Sequence, residues 1–163
     1  MSVASTAERM ADMWQASQAD LGIKTVFRRI PRVLLDSECP AVVFFWRNAT
    51  YDTDAMGDNE VLEERLWEPT VFIRPAYQGT ETSAQTAAED IVSPIRDFLL
   101  SRPGLEIEDE AAAGRESVYD ARLISDAGYQ VVPYPINDSQ AKDFAAVVFQ
   151  QRVREVAAIA YQD

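Results

Sequence analysis

The segment that decides the fold is Pro40-Ala41-Val42-Val43-Phe44-Phe45-Trp46. Its β-branched and aromatic side chains form a continuous apolar run, which is typical of a strand buried on both faces. We therefore expect residues 41–46 to form the centre of a sheet. The run is also the longest apolar stretch of the chain and falls far short of the ~20 residues needed to cross a bilayer, so we expect no membrane segment.

Further strand patterns lie on both sides of this run. Residues 23–27 predict a short strand, and residues 61–77 predict a long one with alternating apolar positions. Pro69 interrupts the long strand, and because proline cannot donate to a ladder we expect an edge, a bulge or a bend there. Residues 118–124 and 129–136 flank a polar turn at 125–128, which predicts a hairpin.

Helical patterns occupy two other regions. Ser5 and Glu8 have the spacing of a capping box, which predicts a first helix over residues 5–20 that ends at Gly22. A second helix is predicted from Thr82, with an apolar stripe at Ala84, Ala87, Ala88, Ile91, Ile95, Phe98 and Leu99. Within it, Pro94 should kink or restart the helix, and Pro103-Gly104 should end it.

The last segment, residues 144–161, fits both periodicities, and spacing alone slightly favours a helix. No internal repeat or low-complexity tract divides the chain. These patterns together predict a single α+β domain over residues 1–163, with a mainly antiparallel sheet and helices packed on one face.

Composition excludes several classes of function. The chain has 163 residues, 15 Lys and Arg, 27 Asp and Glu and no histidine, so its formal net charge is −12. The absence of histidine excludes His-based triads, His zinc ligands and imidazole proton shuttles. Such an acidic balance argues against wrapping nucleic acid or docking on anionic lipid. With one cysteine, Cys39, no intrachain disulfide is possible, and we expect a reducing, cytoplasmic setting.

An acidic segment, Asp52 to Glu63, is the sharpest local motif. Asp52, Asp54, Gly57 and Glu63 match positions of a calcium-binding EF-hand loop, but Met56 occupies a ligand position without an oxygen. The flanks also predict strands rather than helices. A solvated acidic loop and a calcium site remain as alternatives, and we favour the loop.

No other pattern predicts a catalytic, cofactor or metal site. Acidic pairs such as Glu63-Glu64 are expected on exposed faces, and the six glycines are too scattered for a nucleotide-binding loop. Cys39 has no histidine partner and is expected to be a buried thiol. We therefore expect neither enzymatic activity nor a cofactor.

Two groups of residues are candidates for contacts. Arg28, Arg29 and Arg32 form a basic segment in an acidic chain, and they could pair with a neighbouring subunit or with Asp36 and Glu38 of their own chain. Trp46 and Trp67 lie in predicted strands, where tryptophan is either core or subunit interface. The candidate interface residues are Arg28, Arg29, Arg32, Asp52, Asp54, Asp58 and Trp67.

The order of these segments resembles the tail terminator proteins of long-tailed bacteriophages. The resemblance rests on patterned apolar positions across most of the chain, in ECPAVVFF (38–45), LWEPTVFI (66–73), AAEDI (87–91), IRDFL (95–99) and FAAVVFQQRV (144–153). The last of these is similar to the final strand of that family, so the resemblance favours a strand rather than a helix there. The length and the longer C-terminus depart from the shorter members.

The resemblance implies a virion protein of the head–tail junction, assembled in the host cytoplasm. Such proteins typically form a hexameric ring that caps the tail tube, stops its polymerisation and meets the head-completion or connector protein, while viral DNA passes without specific binding. Six copies of this chain carry −72 formal charges around that passage, which disfavours DNA adhesion within the screening length of ~8–10 Å. The alternatives are another junction, tail-completion or tube protein and, from a different class, a calcium- or carboxylate-dependent enzyme.

Overall fold

A computed structural model describes residues 3–52, 60–75, 81–107, 119–137 and 139–158 of the chain. Two α-helices, five strands and one short 3-10 turn follow one another in these ranges. In chain order they are α1 (Val3–Ala16), β1 (Thr25–Phe27), the turn (Asp36–Glu38), β2 (Ala41–Asp52), β3 (Glu60–Pro75), α2 (Glu81–Leu100), β4 (Tyr119–Asn137) and β5 (Gln140–Ala158).

The five strands form one sheet in the order β1-β2-β3-β5-β4. β1 runs parallel to β2, and every other neighbouring pair is antiparallel. Both helices pack on the same side of the sheet, where their apolar stripes meet Val42, Phe44 and the inward residues of β3 and β5. The predicted α+β class with a mainly antiparallel sheet is confirmed.

The segment 41–46 is covered on both sides over most of its length, because alternate side chains enter two separate cores. Val42 and Phe44 join the helix-side core, whereas Ala41 and Val43 join a smaller core that also contains Leu34 and Cys39. The expectation that this strand is the centre of the sheet is wrong, since β2 is second in the order and β3 is central. Burial on both faces arises here from the connection 28–40 rather than from a central position.

Of the outcomes predicted for Pro69, an edge, a bulge or a bend, the edge position is wrong. It is buried in the central strand β3 and pairs with Phe44 of β2. On the side of β5 the register passes from Trp67↔Gln151 to Thr70↔Val148 without a shift, and no pair forms at residues 68 and 69. The missing N–H therefore interrupts one ladder over two residues, and the strong pairing on either side keeps the strand in place.

The hairpin predicted around residues 125–128 is also wrong. β4 is one long strand, and both halves pair with β5. Its register shifts between Leu123 and Ser125 and again between Asp126 and Tyr129, so the polar residues form bulges instead of a reversal. Arg96 of α2 forms an ion pair with Asp126 and thereby contacts this bulged region. In addition, Arg96 Nε donates a hydrogen bond to Asp126 at 3.0 Å.

The ion pair with Arg96 lowers the pKa of Asp126 below its ordinary value, chiefly through the side-chain hydrogen bond. A carboxylate with a depressed pKa stabilises the fold above its unfolded pKa of ~3.9 and loses this contribution as the pH falls through the folded value. We expect Asp126→Asn to be less stable than the wild type in urea near pH 7 and equally stable at strongly acidic pH. A deficit of the same size at both pH values would contradict this assignment.

The predicted helices are both present, and their details and the form of the last segment depart from the predictions. α2 runs without a break through Pro94, and every member of its predicted stripe except Ala87 is buried. α1 ends at Ala16, four residues before the predicted end, and the following turn closes at Gly22 with φ +66°, a conformation that glycine adopts without strain.

The last segment is the strand β5, as the family resemblance implies and against the slight preference of its spacing. Within the described residues neither helix is long and apolar enough to cross a membrane.

Candidate functional site

The side of the sheet opposite the helices is covered only in part. The connection 28–40 packs over one end, and the other end is exposed along β2, β3, β5 and β4. We call this exposed surface the open face; it comprises Arg47 and Thr50 together with the outward side chains of residues 64–68, 120–125 and 150–154. None of the elements in the described ranges packs over this surface.

On the open face, the carboxylates are more deeply buried than the arginines that pair with them. Arg47 Nε donates to one oxygen of Glu68 at 2.9 Å and Gln150 Nε2 donates to the other at 3.1 Å. The Glu68 side chain is 9% exposed, whereas that of Arg47 is 67% exposed. Glu64 accepts from Arg152 Nε at 3.1 Å and from Arg154 Nε at 2.7 Å in the same way. The guanidinium groups therefore form the outer layer of this surface.

The charge of the open face differs from that of the chain. Four arginines (47, 122, 152 and 154) face three carboxylates (64, 68 and 120), so the surface carries one net positive charge in a chain of −12. Arg122 and Arg152 are directly opposite each other on β4 and β5. Like charges in such cross-strand pairs repel. An anion placed between the two guanidinium groups would relieve this repulsion.

A shallow depression of about 330 Å³ lies in the middle of the open face and is lined by Thr50, Glu64, Leu66, Ile124, Gln150 and Arg152. Leu66 is half-buried and Ile124 is 47% exposed. The depression therefore offers apolar surface between charged groups. This combination suits a protein side chain and its polar surroundings better than a free ion.

Arg28 pairs with acids that neither sequence alternative named. Its guanidinium donates to Glu8 at 2.6 Å, to Asp12 at 2.5 Å and to Gln15 at 2.8 Å, all on α1. These contacts raise the pKa of Arg28 and attach the connection after β1 to the first helix. Asp36, one of the expected partners, accepts from Lys142 Nζ at 3.0 Å. Arg29 and Arg32 are exposed on the same connection.

The other candidate interface residues are placed differently. Trp67 is 1% exposed in the helix-side core, so the core alternative holds and its side chain offers no surface to a partner. Trp46, its neighbour across the strands, is 46% exposed. Asp52 is the last residue of β2, and Asp54 and Asp58 lie outside the described residues, as does most of the calcium-like motif.

The open-face arginines were missed at the sequence level for a specific reason. Arg152 and Arg154 stand two apart, which places them on one face of a strand but on different sides of a helix. Only a strand assignment for residues 144–161 makes them neighbours, and only the β4–β5 register brings Arg122 to them. The same spacing argument could have found a pair within β5, but not the third arginine.

A second set of polar side chains is buried on the helix side of the sheet. Glu63 pairs with Arg65, whose guanidinium carbon lies 5.0 Å from the Trp46 ring centre. Thr6 Oγ1 of α1 donates to Glu155 at 2.7 Å. Gln151 is fully buried, and neither of its amide atoms has a partner among the described residues. This set joins α1 to the sheet and presents no accessible group for chemistry.

Cys39 behaves as a structural thiol. It is 5% exposed, and burial raises its pKa to about 12, with Asp36 and Glu38 adding to the rise. Because only the thiolate reacts, we expect labelling by an aromatic disulfide at mildly alkaline pH to be about a thousandfold slower in the folded protein than in urea. Equal labelling rates in the two states would show that the thiol is accessible and ionised.

No three His, Cys, Asp or Glu side chains converge as metal ligands within the described ranges, which exclude residues 53–59. Comparison with known proteins assigns no family: no protein-family model matches the chain, and no curated protein matches it significantly.

Proposed function

We propose that this chain is a tail terminator of a long-tailed bacteriophage, which forms a ring on the last layer of the tail tube. The observation that carries the proposal is the strand β5. Spacing slightly favours a helix for residues 144–161, the family resemblance implies a strand, and residues 140–158 form a strand paired on both sides. The resemblance predicts a strand where the local spacing favours a helix. It therefore supports the proposal more strongly than a resemblance that predicts only what the spacing already indicates.

The surface of the subunit also suits a protein that acts by contact. The open face combines exposed arginines with an apolar depression, which is a composition that protein interfaces share. In this function the ring stops the addition of tube subunits on one side and binds the head-completion or connector protein on the other. Neither role needs a catalytic group.

Light scattering coupled to size-exclusion chromatography tests the proposal. A subunit of 18.2 kDa is expected to elute as a closed species of about 109 kDa for a hexamer, unchanged over a range of concentrations. Electron microscopy should show rings, and adding them to assembling tail tubes should shorten the tubes. Filaments that lengthen with concentration would instead identify a tube subunit, and a monomer at every concentration would overturn the proposal.

The proposal also assigns a position in the ring to the acidic segment. We expect Asp52, Asp54 and Asp58 to line or rim the channel, where their charge would keep passing DNA from adhering. A structure of the assembled ring at side-chain resolution checks this placement. These residues on the outer wall of the ring would reject it.

A further inference from the structure

The opposed arginines and the depression of the open face suit a partner surface that is both anionic and partly apolar. Arg122 and Arg152 face each other across β4 and β5, and each is held by one carboxylate of its own face, Asp120 and Glu64. The adjoining depression exposes Leu66 and Ile124. A complementary surface therefore has a carboxylate close to an exposed apolar side chain.

The outer side of α2 has this composition. Asp90, Ser93, Asp97 and Leu100 follow one another at spacings of three, four and three residues, which places them on one stripe of the helix. All four are exposed, and Leu100 is 59% exposed although it is a large apolar residue. Arg96 lies beside this stripe, but its guanidinium is engaged by Asp126. The stripe is therefore acidic along its length and apolar at its end.

From these two surfaces we propose that the open face binds the outer stripe of α2 from a second copy of this chain. Asp97 lies between Arg122 and Arg152, Leu100 enters the depression beside Ile124, and Asp90 reaches towards Arg47. The inference deepens the proposed function, on which it rests, because it names the contact through which the copies assemble.

The dimensions of the two surfaces agree. The stripe from Asp90 to Leu100 extends over ten residue steps, or about 15 Å along the helix. The strands from β2 to β4 are separated by three spacings of ~4.8 Å, or about 14 Å across the open face. One helix therefore spans the width of the surface that carries Arg47 at one side and Arg122 at the other.

The arrangement also determines the symmetry of the contact. α2 and the open face lie on opposite sides of the same sheet, so one copy can use both at once with two different neighbours. A contact between two different patches is head-to-tail, and it closes into a ring when the rotation between neighbours permits. A twofold dimer, by contrast, would place the same patch on both copies.

DNA is the rival occupant of an arginine-rich surface, and the contacts favour protein. Leu66 and Ile124 line the depression beside Arg152, and a phosphate group offers no apolar surface to them. Phosphate contacts would be opposed by the net charge of −12. A protein surface with one carboxylate and one leucine uses both the charge and the apolar depression.

Charge reversal and exchange test the contact in the full chain. We compare the wild type with two double variants, Arg122→Glu with Arg152→Glu and Asp90→Arg with Asp97→Arg, by sedimentation velocity. Each variant is expected to lose association by at least about a hundredfold, since it opposes like charges across the contact. Mixing the two variants should restore assembly, because both alternating contacts then join opposite charges.

Matched controls separate this contact from general effects of charge. The double variant Lys24→Glu with Arg74→Glu changes the net charge by the same amount as the double arginine variant, at exposed positions outside the open face. It should assemble like the wild type. Leu100→Ser, an exposed position, should weaken association about tenfold through lost apolar burial. Circular dichroism of every variant checks folding, and the α2 variants test the inference even if the strand variants fail to fold.

The outcomes distinguish this inference from the proposed function. Rings that persist in both double variants overturn the contact and leave the terminator function standing. Dimers or filaments that are lost on reversal and restored on mixing support the contact and overturn the ring. A wild type that is monomeric at every concentration overturns both. Unchanged assembly with loss of duplex DNA binding in the arginine variant would make DNA the occupant and overturn the inference.

Discussion

Replacing Trp14 with alanine is expected to lower the free energy of unfolding by about 3–5 kcal/mol. Trp14 is fully buried, and its ring makes edge contacts with Phe44 at 6.0 Å and with Phe98 at 5.4 Å between ring centres. One side chain thus joins α1 to both β2 and α2. Because a domain of this size has about 5–15 kcal/mol of stability in total, the variant should lie close to the limit of folding.

Urea unfolding followed by circular dichroism measures this loss, with two matched variants. Trp14→Phe keeps an aromatic ring, and the indole N–H that it removes has no hydrogen-bond partner among the described residues, so its cost should be much smaller. Trp46→Ala removes a tryptophan that is 46% exposed and should cost less than Trp14→Ala. Equal losses in the two alanine variants would contradict the role of Trp14.

Substitution of Gln151 is expected to have the second large effect on the free energy of unfolding, and the sign of the change depends on the residue introduced. Its amide is fully buried between Trp67 and Leu123 on the neighbouring strands, with no protein partner for either atom among the described residues. Gln151→Leu should therefore raise the free energy of unfolding by about 1–3 kcal/mol, because it removes an unsatisfied polar group at similar volume. Gln151→Glu should lower it by about 3–5 kcal/mol at neutral pH, since it buries an unpaired charge.

The neighbouring residue provides the control for this pair. Gln150 donates to Glu68 and accepts from Ser125 at 2.9 Å, so Gln150→Leu should give no gain in stability. The deficit of Gln151→Glu should also shrink as the pH approaches the ordinary glutamate pKa of ~4.3, because protonation removes the buried charge. A loss of stability in Gln151→Leu would show that the native amide is satisfied in the folded protein.

The elements of the fold could be predicted well because their signals are local. The apolar run 41–46, the stripe of α2 and the alternation predicted over residues 61–77 each depend on side-chain spacing within one segment. The order of strands is not local. β5 inserts between β3 and β4, and only this pairing makes β3 rather than β2 the centre of the sheet.

Turn signals were misleading for a related reason. Residues 125–128 contain the amino acids of a tight turn, but pairing of both flanks with β5 outweighs that local preference and leaves bulges. Pro69 likewise carries a strong local signal that the ladders around it override. Local chemistry predicted that the backbone would be irregular at these sites, and tertiary pairing decided the form of the irregularity.

The candidate site could not be predicted for the most part, because it is assembled from four strands. Arg47, Arg122 and Arg152 are separated by up to about a hundred residues in sequence and share no motif. The basic segment that did attract attention, at Arg28, instead attaches to α1 through Glu8 and Asp12. The arginines that cluster in the sequence are therefore different residues from the arginines that lie together on the open face.

The position of β5 has a consequence for how the chain folds during synthesis. β5 leaves the ribosome after the other four described strands, yet β4 pairs with no other described strand and β3 forms one of its two ladders with β5. The early part of the chain can therefore form α1, β1, β2 and β3, but β4 has no partner until β5 follows. The ladder between β3 and β5 joins residues that are distant in sequence, which slows folding and leaves apolar strand surface exposed in the interval. Closure of the sheet therefore waits for the synthesis of β5, the fifth of the described strands in chain order.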